Sequence, residues 1–399
     1  MPRGAGGLTG PTMSFDLHSD LQRRRDAGLY RRRRVSDGPQ GPELVVDGRR
    51  MLTFCANDYL GLAADPRLAD AMTRGVARYG VGAGAAHLIS GHSRAHHALE
   101  EELAEFTGRE RALLFSTGYM ANLGIIAALT DRNDTVYEDK LNHASLIDGG
   151  LLTRAAMKRY AHADVAALRD QLRQDTGRRL IVTDGVFSMD GDVAPLAALA
   201  AAASDHGAWL MVDDAHGIGV LGEHGRGSVA EAGLDVSQVP ILMGTLGKAL
   251  GTAGAFVAGS EELIETLIQH ARPYVYTTAM PPAVAEASRV ALRIAAEEEW
   301  RRERVLGHVQ RFRHGAQRIG LNLMASATPI QPVMLGDTAL ANRWNEALLR
   351  EGILVGAIRP PTVPEGTARL RITFSAAHTP AHVDALLAVL TEIAAELGQ

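Results

Sequence analysis

Ile241-Leu242-Met243-Gly244-Thr245-Leu246-Gly247-Lys248-Ala249-Leu250-Gly251 is a short apolar run that opens into a glycine-rich loop around a lysine. The run has the length of a buried strand. In open α/β sheets, ligands gather at the carboxyl ends of strands, where such a loop falls. A phosphate-binding P-loop needs Gly-x-x-x-x-Gly-Lys-Ser/Thr. Here Leu242 stands in place of the first glycine and Ala249 follows the lysine, so that reading fails. A lysine in a tight glycine-rich turn suits covalent capture of a carbonyl.

Lysine is scarce in this chain. Lys and Arg together number 41, yet only Lys140, Lys158 and Lys248 are lysines. A GC-rich codon bias gives the same imbalance. Arginine, however, cannot deprotonate and attack a carbonyl, so a surviving lysine is a candidate for chemistry. Lys140 and Lys158 sit in no such pattern and read as surface charges.

Working outward, further short apolar runs precede and follow this one. Ala112–Phe115, Thr135–Tyr137, Met157–Tyr160, Leu180–Thr183, Trp209–Val212, Ile241–Met243 and Gly254–Ala258 are candidate strands. Most are separated by helix-length segments, including an Ala-rich crossover over Leu196–Ala203. This alternation predicts an α/β fold with a large, mostly parallel seven-stranded sheet. Helices are expected over Pro66–Tyr79 and His96–Thr107, flanking an irregular glycine-rich Gly80–Ser93.

After Pro281-Pro282 two long helices are expected, over Ala283–Trp300 and Arg302–Ile319. A smaller α+β unit follows. It reads strand Ile330–Met334, helix Ala339–Glu351, strands Leu354–Ile358 and Arg369–Phe374, and helix Thr379–Leu397. Near the start, Leu44–Val46 and Met51–Phe54 flank Asp47-Gly48, a hairpin signal. Arg23–Arg25 and Arg31–Arg34 are spaced for a polar helix. The expected organisation is a disordered tail over 1–20, a segment over 21–60 packing on the small domain, a large domain over 61–282, and a small C-terminal domain over 283–399.

Composition is that of an ordinary globular protein, with 399 residues, 46% hydrophobic and 22% charged. A net charge of -5 argues against a nucleic-acid binder. No apolar run is long enough to span a bilayer, and Met1–Ser14 lacks the apolar core of a signal peptide. Cys55 is the only cysteine, which excludes an internal disulfide and any multi-cysteine metal site. A cytoplasmic protein without a metal is expected.

Two other strand ends carry candidate groups. Ser116–Asn122 opens a helix after Phe115, and Gly118 allows a phosphate to approach the helix-start N–H groups. Asp213-Asp214-Ala215-His216-Gly217 follows Val212; Asp213 could hold a protonated ring nitrogen, or could simply cap the next segment. The glycines of Gly217–Gly227 resemble a dinucleotide loop superficially, but no amphipathic helix follows in the right place.

A phosphate cradle, a carboxylate for a pyridine nitrogen and a carbonyl-capturing lysine, in that order, are the parts of a pyridoxal phosphate site. Asn57-Asp58-Tyr59-Leu60-Gly61, Gly91-His92-Ser93, Asn142-His143-Ala144-Ser145, Phe187-Ser188-Met189-Asp190-Gly191, Asp213–Gly217 and Thr245–Lys248 together resemble the α-oxoamine synthases, pyridoxal enzymes of fold type I. The resemblance runs from about Leu21 to the C-terminus. Arg359-Pro360-Pro361-Thr362-Val363-Pro364 with Ala368-Arg369-Leu370-Arg371 is similar to one branch, which joins L-alanine to a pimeloyl thioester in biotin biosynthesis. Sister enzymes of the family take glycine or serine, such as 5-aminolevulinate synthase, 2-amino-3-oxobutyrate CoA ligase and serine palmitoyltransferase.

The resemblance implies a role for each matching residue. Lys248 would hold pyridoxal phosphate and move the substrate proton. Asp213 would pair with the ring nitrogen, and His216 and Ser188 would bond the ring hydroxyl. His143 would cover the ring face. Gly118, Tyr119 (through its backbone N–H) and Thr245 would hold the phosphate. Thr277 or Thr278 would reach the phosphate of a neighbouring subunit, in a homodimer with shared active sites. Arg371 and Asn57 would take the amino-acid carboxylate, with Arg31, Thr362 and Arg359 also binding substrate. The acyl carrier would be coenzyme A or an acyl carrier protein.

Overall fold

The computed structural model describes residues 15–398. Of the tail expected over 1–20, residues 1–14 lie outside the described residues. The remainder runs into a helix, Leu17–Asp26, whose N-cap Asp16 accepts the Ser19 N–H at 3.1 Å. Arg23–Arg25 lie on this helix, but Arg31–Arg34 do not. The helix closes at Ala27, Gly28 turns the chain at φ 65°, and extended chain follows.

The central sheet has seven strands. Their order is Arg111–Phe115, Ala255–Gly259, Ile241–Thr245, Trp209–Asp213, Arg179–Asp184, Thr135–Asp139 and Ala156–Tyr160. Ala255–Gly259 runs antiparallel to both neighbours; the remaining pairs are parallel. Side chains alternate between two buried faces. Ile181, Val212, Leu242 and Phe256 enter one apolar cluster, with residues of helices Arg94–Thr107, Leu196–Asp205 and Pro282–Glu297. Leu180, Val182, Met211, Ile241, Met243 and Val257 enter the other, with helices Gly118–Leu129, Ala144–Leu152 and Glu261–His270. The same alternation puts Asp184 and Asp213, in register with each other, on this second face.

A second apolar cluster gathers Phe312, Trp344, Phe374 and Leu390 around a three-stranded antiparallel sheet. The strands are Ile330–Gly336, Ala368–Thr373 and Gly356–Ile358. Phe54 of the N-terminal hairpin is buried in the same cluster. That hairpin pairs Glu43–Val46 with Arg49–Thr53 through Asp47 and Gly48, both at positive φ, as a tight two-residue turn requires. The single strand expected over Leu354–Ile358 is divided between two sheets. Ile353–Leu354 pairs in parallel with Leu52–Thr53, and Gly356–Ile358 pairs with Ala368–Thr373.

The long C-terminal helices break at Glu298, three residues before the expected point. The Glu298 carboxylate is held by Arg67 at 2.6 Å and Arg301 at 2.7 Å, which fixes the corner. The other early discrepancy has a similar local cause. The helix expected from His96 starts at Arg94, because Ser93 and the His96 ring form a reciprocal cap. Among the described residues, no helix is long and apolar enough to cross a membrane.

Candidate active site

Strand ends and helix starts converge beside Lys248. This lysine follows the Ile241–Thr245 strand, and its Nζ lies 2.8 Å from His216 Nε2. The other nitrogen of that imidazole, Nδ1, lies 2.7 Å from Tyr59 Oη. Burial lowers the Lys248 pKa, and Arg371 lowers it further; Asp213 and Asp184 act the other way. Burial also holds His216 well below the usual histidine range, reinforced by Lys248, Arg371 and His143. The imidazole is therefore neutral, with one donor nitrogen and one acceptor.

Asp213 ends the Trp209–Asp213 strand on the sheet face covered by helix Gly118–Leu129. It is 3% exposed, and Asn122 Nδ2 donates to its Oδ2 at 2.7 Å while the Ala215 N–H donates to its Oδ1 at 3.0 Å. The same Asn122 amide reaches Ser145 Oγ at 2.8 Å, and that hydroxyl lies 2.7 Å from His143 Nδ1. The His143 N–H donates to Asp184 Oδ2 at 2.7 Å. Burial and the facing Asp213 push the Asp184 pKa well above the usual carboxylate range. Burial lowers the His143 pKa.

Thr117 caps helix Gly118–Leu129, its Oγ1 accepting the Met120 N–H at 3.1 Å. The N–H groups of Gly118 and Tyr119 then have no partner within the helix and point from its positive end. The Tyr119 ring meets the His143 ring edge-to-face, with centroids 6.5 Å apart. Thr245 Oγ1 donates to the Gly254 carbonyl at 3.0 Å and accepts the Gly247 N–H at 3.3 Å. A buried amine of lowered pKa, a buried carboxylate, an imidazole and an open helix N-terminus fit what a phosphorylated pyridine aldehyde requires.

Arg371 reaches the site from the three-stranded sheet. Its Nε donates to the Ser188 carbonyl at 2.5 Å, and its Nη2 to Asn57 Oδ1 at 3.2 Å. Arg369, two residues earlier, forms a buried ion pair with Asp190 and donates to the Thr367 carbonyl at 2.9 Å. The pair of arginines thus clamps the Ser188–Gly191 turn while leaving Arg371 at the site. Arg31, Arg359 and Thr362 gather elsewhere, lining a cleft of about 260 Å³ with Arg24. Arg359 Nη1 donates to Asn342 Oδ1 there at 2.6 Å. Thr278 forms a backbone bridge with Ala86, and Thr277 is half-buried beside it.

The glycines of Gly217–Gly227 serve a carboxylate, not a ligand. Asp214 Oδ1 and Oδ2 accept the Ser228 hydroxyl and N–H, both at 2.7 Å. A Cβ on Gly217 would lie 2.0 Å from Asp214 Oδ1, and one on Gly227 would lie 1.9 Å from Oδ2. Lys158 pairs with Asp175 at 2.8 Å, and Lys140 is exposed. His87, His92 and His96 also come together, but their nitrogens bond one another and the backbone. His87 Nδ1 meets His92 Nδ1 at 3.0 Å; His96 bonds the Met280 carbonyl at 2.7 Å and the Ser93 N–H at 3.0 Å.

Four residues of the site were not singled out in the sequence: Tyr59, Asn122, Ser145 and Asp184. Tyr59, Asn122 and Ser145 lay inside the quoted motifs. Asp184 could have been found as the acidic residue two strand steps beyond Val182, on the same face.

The aminotransferase class I and II family matches residues 49–390. The 8-amino-7-oxononanoate synthase of Thioalkalivibrio sulfidiphilus is 63% identical over 377 residues, covering 94% of this chain and 96% of the relative. That of Pseudomonas putida is 60% identical over 380 residues, covering 95% and 97%. Among solved structures, a Sphingomonas wittichii serine palmitoyltransferase superposes with a TM-score of 0.92 at 33% identity, covering 97% and 99%. A serine palmitoyltransferase from S. paucimobilis with bound PLP gives 0.91 at 32%, covering 96% and 97%. The Francisella tularensis 8-amino-7-oxononanoate synthase gives 0.77 at 32%, covering 87% and 98%. A likeness this high over nearly the whole length separates the chain from the serine-using branch, and the chain belongs to the 8-amino-7-oxononanoate synthase family, within the aminotransferases of class I and II.

Proposed function

We propose that this chain is a pyridoxal phosphate-dependent acyltransferase. It condenses L-alanine with pimeloyl-CoA or a pimeloyl carrier protein, and releases 8-amino-7-oxononanoate, carbon dioxide and the free thiol carrier. The observation that carries the reading is the buried Lys248 amine, held between His216 and the Asp213–Asp184 pair with its basicity lowered by burial. When bound, pyridoxal phosphate supplies an aldehyde for amines and a ring that stabilises negative charge at the amino-acid α-carbon.

The chain's own groups do the rest. Asp213 keeps a ring nitrogen protonated through a charge-assisted bond, and Asn122 and the Ala215 N–H orient that carboxylate. His143 covers one ring face. Ser188 and His216 bond the ring hydroxyl, and Gly118, Tyr119 and Thr245 take the phosphate. Arg371, steadied by Ser188 and Asn57, grips the alanine carboxylate with a planar fork. Lys248, freed by the incoming amine, accepts the alanine α-proton at Nζ and later returns a proton after carbon dioxide leaves. Arg31, Arg359 and Thr362 line a cleft whose positive charge suits an anionic acyl donor. The site is shared in a cytoplasmic homodimer, with Thr277 or Thr278 reaching the neighbour's phosphate. The likeness of over 60% to the alanine-using branch favours alanine over the glycine or serine of sister enzymes.

The test is an absorbance spectrum with pyridoxal phosphate, titrated with L-alanine and then given pimeloyl-CoA. A visible band that responds to alanine, followed by carbon dioxide release on adding the thioester, is the expected result. A band that ignores alanine and responds to glycine or serine moves the chain to a sister activity. No band at all overturns the assignment of Lys248.

A further inference from the structure

A chain of hydrogen bonds runs from Lys248 to Arg371 through three residues. Lys248 Nζ meets His216 Nε2 at 2.8 Å, and His216 Nδ1 meets Tyr59 Oη at 2.7 Å. Tyr59 Oη lies 3.2 Å from Asn57 Oδ1, which also accepts from Arg371 Nη2 at 3.2 Å. Tyr59 is fully buried and His216 is 5% exposed, so water does not substitute for any link.

Two proton arrangements satisfy every link. With Lys248 as the free amine, His216 Nε2–H donates to the Nζ lone pair, and Tyr59 donates to Nδ1. With Lys248 as the ammonium, Nζ donates to Nε2, Nδ1–H donates to Tyr59 Oη, and Tyr59 donates to Asn57. The tyrosine hydroxyl is the one group in the chain able to be donor in the first arrangement and acceptor in the second. We infer that Tyr59 is a positioning residue that lets His216 exchange tautomers as Lys248 gains and loses a proton. The inference rests on the proposed proton-transfer role of Lys248.

Without the hydroxyl, the ammonium arrangement leaves a buried Nδ1–H unpaired, while the free-amine arrangement leaves only a lone pair. The ammonium is thereby disfavoured and Lys248 becomes the weaker base. The charged and titratable groups facing Lys248 and His216 are Asp213, Asp184, Arg371 and His143, and Tyr59→Phe leaves all of them in place.

The experiment compares wild type with Tyr59→Phe as holoenzymes. Measured are the alanine KM, kcat against pH, and the isotope effect with α-deuterated alanine. The expected result is a fall in kcat of about tenfold or more, the loss of a buried hydrogen-bond partner. The alanine KM stays within about twofold, the isotope effect rises, and the acid limb of the kcat profile moves to lower pH. An unchanged kcat and pH profile overturns the inference. So does a fall in kcat with an unchanged isotope effect, which marks a packing role alone. Should Tyr59→Phe not fold, a fluorinated tyrosine at 59 keeps the shape, and an unmoved kcat profile there also overturns it. A wild-type protein with no alanine-responsive cofactor band fails the proposed function itself, before the variant is compared.

Discussion

Asn122 and Asp213 lie on different elements, and the 2.7 Å bond between the Asn122 amide and Asp213 Oδ2 joins them across the floor of the site. Asn122 sits one turn into helix Gly118–Leu129, whose first N–H groups are the proposed phosphate cradle. One helix thus orients both ends of the bound ring, its phosphate and the carboxylate at its nitrogen. Asn122→Ala removes a charge-assisted bond from a buried carboxylate, worth about 1.5–3 kcal/mol. The expected outcome is a rise of about tenfold or more in the Kd for pyridoxal phosphate, read by fluorescence titration. An unchanged Kd means that the Ala215 N–H alone suffices to orient Asp213.

Lys248→Arg keeps the positive charge and removes the nucleophile. Guanidinium stays protonated at every accessible pH, so it neither captures an aldehyde nor accepts a proton. The variant is expected to hold the cofactor weakly, show no lysine-linked visible band and release no carbon dioxide from alanine and pimeloyl-CoA. Turnover near the wild-type rate rules out Lys248 as the reacting amine.

How much of this was legible before the structure depends on range. The Lys248 loop, the Asp213 strand end and the capped helix at Gly118 are local patterns, and they stand where the strand–helix alternation put them. Tyr59 and Arg371 are different. Tyr59 comes within 2.7 Å of His216 across 157 positions, and Arg371 meets Asn57 across 314. No spacing rule encodes such encounters, and only the motif resemblance pointed to Asn57 and Arg371. The Gly217–Gly227 glycines were equally opaque, because their demand comes from Asp214 folding back on them. Arg31–Arg34 misled for a local reason: helical spacing persists in sequence beyond the point where Gly28 ends the helix.

Arg371 and Arg31 lie in different places, and their variants should separate accordingly. Arg371→Lys keeps the charge beside Asn57 but loses the planar fork. The alanine KM should rise about tenfold or more, from the loss of a charge-assisted bond, with little change in the KM for pimeloyl-CoA. Arg31→Ala, in the Arg359–Thr362 cleft, should do the reverse. Steady-state kinetics with each substrate varied in turn reads both. A parallel change in both KM values for Arg31→Ala argues against a separate acyl-donor cleft.

Gly217→Ala tests the reading of the glycine-rich loop as a shell around Asp214. The added Cβ would lie 2.0 Å from Asp214 Oδ1, within the carboxylate's own bonding distance. Ser228 holds that carboxylate with two bonds, so it cannot swing away without losing them. A loss of about 1–3 kcal/mol is expected, the scale of overpacking a filled core. Denaturant unfolding measures it. If the loop instead cradled a nicotinamide dinucleotide, adding that dinucleotide would raise the melting temperature of the wild type, and no such rise is expected.

Glu138 carries a pH-dependent cost that a single substitution should lift. It is fully buried in the Thr135–Asp139 strand, and neither carboxylate oxygen has a hydrogen-bond partner. Burial pushes its pKa up to about 7, with Arg159 opposing the shift weakly. The folded state therefore binds this proton more tightly than the unfolded state does. Stability from this group is fully present below the ordinary glutamate pKa, falls as pH rises, and is lost above about 7. Integrated across that window, the cost at pH 8 is about 3 kcal/mol. Glu138→Met fills the space without a charge, so it should melt a few degrees higher than wild type at pH 8. The advantage should shrink steadily toward pH 5, as the wild-type carboxyl takes up its proton. Thermal unfolding of both proteins at pH 5, 6, 7 and 8 measures this. An advantage that is the same at every pH means that the variant acts through packing, and that Glu138 holds no proton at neutral pH.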